Sequence, residues 1–326
     1  MSALRVAVLY GGRSGEHEVS LRSAEAVMDA LARRGYRVAP YLIAKDGRWH
    51  PAPILPVPGA NPDIDVVFPV LHGTFGEDGT VQGLLEMAAL PYVGAGVLAS
   101  SAAMDKELFK RICRERGLPV VEYLVLRAKA PDPAAVLRRF SFPVFVKPAN
   151  LGSSVGIHKA HDAQELESAL ADAARYDTKI VVERAITGLE IECAVLGNHD
   201  PVASTPCQIF PSREFYDYED KYLLDKARAV IPARVPAETI REVQRLAVEC
   251  YRAVECSGMG RVDFLAEPDS GKVFINELNT IPGFTSISMY PKMWAYDGVP
   301  MAELVHRLVE LALERFRERQ ALRYER

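Results

Sequence analysis

In the first third of the chain, short apolar runs alternate with longer segments in which hydrophobic residues have helical spacing. The runs "LRVAVLYGG", "YRVAPYLIA" and "DVVFPVLHG" predict strands, and "VSLRSAEAVMDALARRG" and "VQGLLEMAAL" predict helices. Strands that alternate with helices are typical of a parallel sheet with helices on its faces. The pattern therefore predicts an N-terminal parallel-sheet unit.

The remaining pattern predicts two further units. A helix is expected from about residue 102 to 116, and "FPVFVKPA" and "KIVVERA" predict strands on either side of the helix "DAQELESALADAAR". Farther along, "EIECAVLG" and "ASTPCQIF" predict strands, "AETIREVQRLAVECYRAVE" predicts a helix, and a last helix begins near Met301. We therefore predict an α/β (α+β) chain with three domains, 1–99, 100–187 and 188–326.

The stretch "GRVDFLAEPDSGKVFINELN" has the pattern of a hairpin, yet acids interrupt its apolar runs. A three-residue loop at 269–271 would place Asp263 opposite Glu277 and Arg261 opposite Asn279, all on one face. A four-residue loop would break this register. Opposed carboxylates repel unless a cation lies between them, and carboxylate and amide oxygens suit Mg²⁺. For the hairpin alone, a metal site and a solvent-facing polar stripe neutralised by Arg261 both stay open.

Composition and charge restrict the class of protein. The 326 residues suffice for two or three domains, and no apolar run is long enough to span a bilayer. The start, "MSALRVAVLYGG", lacks the pattern of a signal peptide, and the five cysteines form neither a paired framework nor a metal-type spacing. The net charge of -4 does not favour a polyanion. We expect a cytoplasmic protein with reduced thiols and no nucleic-acid or membrane partner.

Four stretches offer groups that bind anions or hydroxyls. In "GGRSGEHEVS", a Gly-rich turn precedes a helix, and Glu16 suits an ammonium better than a phosphate. "NLGSSVG" follows the strand that carries Lys147, "MDKELFK" carries Lys106, and "KIVVE" ends at Glu183, with Glu190 shortly after it. Each also has an ordinary explanation as a turn, a surface loop or a solvated helix face. Together with the acidic hairpin they predict a nucleotide clasp, with lysines on one side of the phosphates and metal ions on the other.

Seven blocks follow one another along the chain: "GGRSGEHEVS", "LHGTFGEDGTVQG", "VGAGVLASSAAMDK", "VKPANLGSSVG", "FYDYEDKYL", "GMGRVDFL" and "INELNTIPGFTSISMYPKM". Together they resemble the ATP-grasp enzymes, and within them the D-alanine–D-alanine ligases, over nearly the whole chain. The resemblance implies a three-domain ATP-grasp fold, usually a homodimer. It also implies condensation of two D-alanines into the dipeptide of peptidoglycan, with ATP as co-substrate and two Mg²⁺, or Mn²⁺ in their place.

The resemblance implies roles for residues on the nucleotide side. Lys106 and Lys147 are expected to bind the ATP phosphates. Glu183 and the backbone around Ile186 are expected to bind the adenine, and Glu190 the ribose hydroxyls. These roles agree with the clasp that the residues alone predict.

It also implies roles on the metal and substrate side. Asp263, Glu277 and Asn279 are expected to coordinate the two metal ions, with Glu277 bridging them, while Glu16 binds the ammonium of the first D-alanine near His72. The other implied residues are Ser153 and Tyr222, in a hydrogen-bonded network with Glu16, Lys221, Ser288 and Met289 at the second D-alanine, and Arg261 with the Gly283 N–H at the oxyanion.

The implied reaction passes through an acyl phosphate, because a carboxylate is too poor an electrophile to meet an amine in water. The segment "PSREFYDYEDKYLLD" is expected to close over this intermediate, and its "DKY" favours an amine acceptor over D-lactate. Three alternatives stay open. They are another ATP-grasp ligase with a different acid and amine, a non-catalytic ATP-binding protein, and a nicotinamide-dependent oxidoreductase, whose glycine fingerprint is missing from the N-terminal turn.

Overall fold

The computed structural model describes residues 3–152, 155–211, 228–268 and 270–324, and the strands in these ranges form three sheets. The first contains β1 (Arg5–Gly11), β2 (Arg37–Ile43), β3 (Trp49–His50) and β4 (Val66–Pro69), in the order β3-β2-β1-β4. Its helices are α1 (His17–Arg33) and α2 (Thr80–Met87), followed by α3 (Val97–Met104). Because β1 pairs in parallel with both β2 and β4, the predicted N-terminal parallel sheet is confirmed.

The second sheet is antiparallel and lies in the middle of the chain. It contains β5 (Tyr123–Arg127), β6 (Val144–Pro148), β7 (His158–Ala160) and β8 (Lys179–Arg184), in the order β5-β8-β6-β7. Helix α4 (Lys106–Glu115) precedes it, and α5 (Pro133–Arg139) and α6 (Ala163–Ala173) connect its strands. The two strands predicted from "FPVFVKPA" and "KIVVERA", β6 and β8, are direct neighbours.

The third sheet is antiparallel and contains the hairpin that carries the acids. Its strands are β9 (Leu189–Gly197), β10 (Val202–Ala203), β11 (Cys207–Phe210), β12 (Arg228–Val230), β13 (Gly258–Ala266) and β14 (Val273–Asn279). The order is β12-β11-β9-β13-β14, with β10 also on β9. The helices are α7 (Ala237–Ala253), α8 (Met289–Tyr296) and α9 (Met301–Gln320). No helix of the described residues is long and apolar enough to cross a bilayer.

Apolar packing extends across the predicted domain limits. One buried cluster joins Val8 on β1 and Leu31 on α1 to Leu196 on β9 and Leu308 on α9. The C-terminal helix therefore packs against the N-terminal sheet, far away in sequence. The limits 1–99, 100–187 and 188–326 stay a prediction.

The single helix predicted over residues 102–116 is wrong, because the chain breaks it at Asp105. Asp105 is extended, and its carboxylate accepts a hydrogen bond of 3.0 Å from the Leu108 N–H, which makes it the N-cap of α4. The Lys179 ammonium lies 2.6 Å from the same carboxylate. Lys106 therefore begins α4, and its ammonium donates to the Leu151 carbonyl oxygen at 2.6 Å instead of lying on a solvated helix face.

The β13–β14 hairpin has the predicted pairing at the acids but not at its turn. Asp263 lies opposite Glu277, as expected. Near the turn, however, Ala266 pairs with Val273, so four residues separate Glu267 from its partner Lys272, and the predicted three-residue loop is wrong. Position 269 of that loop lies outside the described residues.

A β-bulge restores the register that the longer turn would shift. Phe264 pairs with Ile275, whereas Asp263 pairs with Glu277, so Asn276 is an extra residue on β14. Without it, a four-residue turn would move Glu277 to the opposite face. The bulge therefore keeps Glu277 beside Asp263 and adds Asn276 to the same side.

Candidate active site

Two adjoining cavities contain most of the expected site residues. The larger, about 440 Å³, and the smaller, about 50 Å³, share Lys106, Leu151, Gly152 and Glu277 in their walls. The larger is also lined by the expected nucleotide and metal residues Lys147, Glu183, Ile186, Glu190 and Asp263. The smaller is lined by the expected substrate and metal residues Glu16, His72, Arg261, Asn279 and Gly283.

The other expected residues have different positions. Ser288 lies at the start of α8 beside Gly283, where a Cβ would come within 2.6 Å of the Ser288 hydroxyl oxygen. The Met289 sulfur lies 3.7 Å from the Cys207 Sγ, so this side chain packs into the apolar core. Ser153, Lys221, Tyr222 and the expected lid lie outside the described residues.

The substrate end of the smaller cavity is built on the N-terminal sheet. Parallel strands β1 and β4 end at the same edge, and the turns that follow them carry Glu16 and His72. Both side chains are buried. A Cβ on Gly152 would come within 3.0 Å of Glu16 Oε2, so the Gly-Ser loop approaches Glu16 closely. The expected network of Glu16, Ser153 and Tyr222 stays a prediction.

Glu77 is a wall residue that the sequence analysis missed. Its carboxylate accepts hydrogen bonds from the Gly73 N–H at 2.7 Å and the Ile281 N–H at 3.0 Å. Burial, together with the charge of Glu16, raises the pKa of Glu77 to about 8. The block "LHGTFGEDGTVQG" contained the signal, since an acid follows His72 after two glycines, but only His72 was assigned from it.

His72 is held neutral at physiological pH. Burial lowers its pKa to about 4. Its Nδ1 lies 3.0 Å from the Ile281 carbonyl oxygen and its Nε2 lies 3.2 Å from the Ser23 Oγ. A neutral ring that donates from Nδ1 accepts at Nε2, so His72 is a fixed dipole in the wall and adds no charge.

We expect Glu77→Gln to change how the free energy of unfolding depends on pH. The folded state keeps a proton on Glu77 up to about pH 8, whereas the unfolded chain releases it near pH 4.5. The folded state then binds more protons than the unfolded state, so stability falls as the pH rises through this interval. Glutamine has no proton to lose, so the variant should lose less stability between pH 5 and pH 8 in urea unfolding. Equal pH slopes for the two proteins would contradict this.

On the nucleotide side, Lys147 and Glu183 form part of a buried network. The Lys147 ammonium lies 2.8 Å from Glu183 Oε2 and donates to Asn276 Oδ1 at 3.3 Å, which is the contact that the bulge supplies. The other oxygen, Glu183 Oε1, lies 3.0 Å from the ammonium of Lys110. Burial alone would raise the pKa of Glu183, but Lys110 and Lys147 outweigh it and lower this pKa to about 2. Glu183 is therefore an anion held between two lysines.

Lys110 was also missed, although helix spacing could have found it. On α4, the buried positions are Lys106, Phe109, Lys110 and Cys113, which follow the i, i+3, i+4, i+7 spacing of one helix face. A lysine at such a position needs a buried anion as partner. The sequence pattern indicates that need but not which carboxylate meets it.

Arg261 binds two carboxylates beneath the cavities. Its Nε and Nη2 donate to the two oxygens of Asp263, each at 2.7 Å, and its Nε also lies 3.2 Å from Glu192 Oε2. The Asn279 amide donates to Asp263 Oδ2 at 3.0 Å. Glu192, another residue missed from sequence, sits on β9 directly opposite Asp263. Arg261 therefore pairs with the acids as the polar-stripe interpretation required, but this face lines cavities instead of open solvent.

The donor set of this face fits a hard divalent cation. The described residues contain no group of three or more His, Cys, Asp or Glu side chains arranged to hold a metal. Asp263 and Glu277 instead offer two opposed carboxylates, and Asn279 adds an amide on the same face. Mg²⁺ is usually held by one or two carboxylates together with substrate phosphates, so such a partial site suits it.

Two models of known protein families match the sequence of this chain. The family described as "D-ala D-ala ligase N-terminus" matches residues 5–61 and 55–95, and the one described as "D-ala D-ala ligase C-terminus" matches residues 112–310. The chain belongs to the D-alanine–D-alanine ligase family. Members of this family are ATP-dependent ligases that join two D-alanines.

Individual relatives match the sequence of this chain over nearly their whole length. The D-alanine–D-alanine ligase of Solibacter usitatus is 62% identical over 323 residues, which is 99% of each chain, and that of Caldicellulosiruptor bescii is 45% identical over 360 residues, again covering 99% of each. Among solved structures, the ligase from Coxiella burnetii has a TM-score of 0.88 at 37% identity and covers 98% of this chain and 97% of its own. The VanG D-Ala:D-Ser ligase from Enterococcus faecalis has a TM-score of 0.85 at 34% identity, covering 95% and 99%. The expected ATP-grasp fold is confirmed.

Proposed function

We propose that this chain condenses two D-alanines into D-alanyl-D-alanine for peptidoglycan, converting ATP to ADP and phosphate. The observation that carries the proposal is the adjoining pair of cavities, in which the lysines Lys106 and Lys147 and the acidic face of β13 and β14 line a larger cavity that shares a wall with a smaller one beside Glu16. The 62% identity to a D-alanine–D-alanine ligase supports the same activity.

The larger cavity is the proposed nucleotide site. Lys106 and Lys147 hold the phosphates, because both lysines line this cavity. The backbone around Ile186 and the carboxylates of Glu183 and Glu190 face the base and ribose. The carboxylate of Glu183 is occupied by two lysines. Glu183 therefore contributes to adenine binding through its backbone and through Lys147, which its carboxylate orients.

Two Mg²⁺, or Mn²⁺ in their place, are proposed at Asp263, Glu277 and Asn279. A divalent ion bound there would neutralise negative charge on the transferred phosphoryl group. The residues of the chain prepare that face in a definite way. Arg261 and Asn279 fix the Asp263 carboxylate, and the bulge fixes Glu277 opposite it.

The smaller cavity is the proposed site of the two amino acids. Glu16 binds the ammonium of the first D-alanine. The carboxylate of this D-alanine then faces the γ-phosphoryl group near Lys106. Transfer of the γ-phosphoryl group from ATP to that carboxylate releases ADP and gives an acyl phosphate. The neutral amine of the second D-alanine attacks its carbonyl carbon, so that a C–N bond forms and the C–O bond to phosphate breaks. Arg261 and the Gly283 N–H are placed to stabilise the oxyanion of the tetrahedral intermediate, since both line this cavity.

Ser288 is the described residue best placed for the carboxylate of the second D-alanine, because its hydroxyl lies beside Gly283. In the proposal Lys221 completes that subsite, with Met289 beside it. Tyr222, which belongs to the closing segment, and Ser153 complete a hydrogen-bonded network with Glu16. A homodimer in the cytoplasm is also proposed. The exposed apolar side chains of Met87, at the end of α2, and of Val97 and Leu98, at the start of α3, support contact with a second copy.

Phosphate release from ATP and Mg²⁺ tests the function directly. The reaction should proceed with D-alanine and yield the dipeptide, and it should remain at background with L-alanine or without substrate. D-Alanine mixed with D-lactate or with D-serine shows whether another acceptor competes. Tight ATP binding with no release on D-alanine would keep the fold and overturn the proposed substrates.

A further inference from the structure

The interior beneath the nucleotide cavity contains two lysines for one carboxylate. Lys110 is fully buried, Glu183 is 2% exposed, and Lys147 is 8% exposed. The ammonium of Lys110 lies 3.0 Å from Glu183 Oε1, and that of Lys147 lies 2.8 Å from Glu183 Oε2. We call these three residues the lysine–glutamate triad.

The second lysine is not needed to neutralise Glu183. Glu183 and Lys147 alone would form a neutral pair, and a further buried ammonium costs free energy, because it is removed from water. Burial accordingly lowers the pKa of Lys110, while the pKa of Glu183 remains far below neutrality at about 2. With both lysines protonated, the triad has one more positive charge than negative.

The excess charge is directed at the cavity by the arrangement of the three side chains. Lys147 and Glu183 line the larger cavity, whereas Lys110 lies behind them on the buried face of α4. The ammonium of Lys110 forms an ion pair with one oxygen of Glu183, and that of Lys147 contacts the other, so the single negative charge of Glu183 is shared between the two lysines. Lys147 is also steered from its other side by Asn276.

We propose that Lys110 is a positioning residue for ATP, which acts through Glu183 to leave the positive charge of Lys147 uncompensated toward the nucleotide phosphates. This inference rests on the proposed function, since it takes the larger cavity as the ATP site. Lys110 itself touches no substrate. Its effect is on the charge and orientation of a lysine that does.

A purely structural role makes a different prediction. If Lys110 only anchored α4 against β8, its loss would weaken the binding of every ligand of the cavity together with the stability of the fold. If it sets the charge at Lys147, its loss should weaken ligands with phosphates and spare a ligand without them. ATP and adenosine, which share base and ribose, therefore separate the two roles.

The test is calorimetric titration of each variant with ATP plus Mg²⁺ and with adenosine, at one fixed ionic strength. Lys110→Met keeps an unbranched side chain one atom shorter and removes its charge. We expect it to lower the ratio of ATP affinity to adenosine affinity about tenfold. Arg111→Met is the matched control, because Arg111 is the next residue of α4 and its side chain is 67% exposed. It should keep the wild-type ratio.

The double variant Lys110→Met/Glu183→Gln provides a rescue. It removes one charge of each sign, so Lys147 again has an uncompensated charge, and the ratio should return close to the wild-type value. An unchanged ratio in Lys110→Met, or no recovery in the double variant, would overturn the inference. If Lys110→Met does not fold, the double variant decides alone, since a tenfold lower ratio there would contradict the charge argument. A wild-type protein that binds ATP no better than adenosine would instead overturn the proposed function.

Discussion

Glu277→Gln should lower the rate of phosphate release with D-alanine by about a thousandfold or more. The substitution keeps the size and the polarity of the side chain but removes its charge. The charge of Asp263, the carboxylate opposite, is already balanced by Arg261, so Asp263 does not make up for the negative charge that Glu277 loses. The fold should remain intact, because the variant relieves repulsion between two opposed carboxylates.

The measurement is the rate at saturating ATP, Mg²⁺ and D-alanine, together with the thermal midpoint of unfolding. Glu267→Gln is the matched control, because it makes the same chemical change on the same hairpin. The Glu267 carboxylate contacts Ser270 and Arg184 and does not line the two cavities. It should keep the wild-type rate. A Glu277→Gln protein with more than about a tenth of the wild-type rate would refute a charged metal face at this position.

Arg261→Met should damage both stability and catalysis. Arg261 binds Asp263 through two nitrogens and also contacts Glu192, so its removal leaves two carboxylates beside each other without their cation. Breaking such an ion pair costs about 3–5 kcal/mol of unfolding free energy when the site is buried. The loss of an oxyanion donor should lower the rate about a hundredfold or more.

Urea unfolding and the phosphate-release rate measure the two effects. Arg245→Met serves as control, since Arg245 also pairs with two carboxylates, Glu242 and Glu249, but on the exposed face of α7. Its loss should cost less than about 1 kcal/mol. Arg261→Lys keeps the charge without the planar fork and should fall between wild type and Arg261→Met. Equal losses of unfolding free energy in Arg245→Met and Arg261→Met would show that the ion pairs of Arg261 stabilise the fold no more than those of an exposed arginine.

The parts of the site that depend on local periodicity could be predicted from the sequence. Alternation placed Asp263 and Glu277 on one face, and strand ends located Lys147 and Glu183. The hairpin also shows how a correct result can conceal a wrong step. The turn is one residue longer than expected, and the bulge at Asn276 compensates for it, so the acids still face each other.

The parts that depend on tertiary distance could not be predicted. Helix spacing indicates that Lys110 is buried, and Glu77 lies in a block that was already singled out, but the partners that make Lys110, Glu77 and Glu192 important lie on other elements. The break at Asp105 was missed because both sides of it have helical spacing. The carboxylate of Asp105 is held by Lys179, which is far away in the chain.

The β13–β14 hairpin has a consequence for the order of folding. Asp263, Glu277 and Asn279 belong to one local pair of strands, so the metal face can assemble at small cost in loop-closure entropy. Glu16 and His72 meet that face only after nearly the whole chain has folded back on the N-terminal sheet. Refolding protein should therefore form the metal face of the hairpin before it can hold an amino acid.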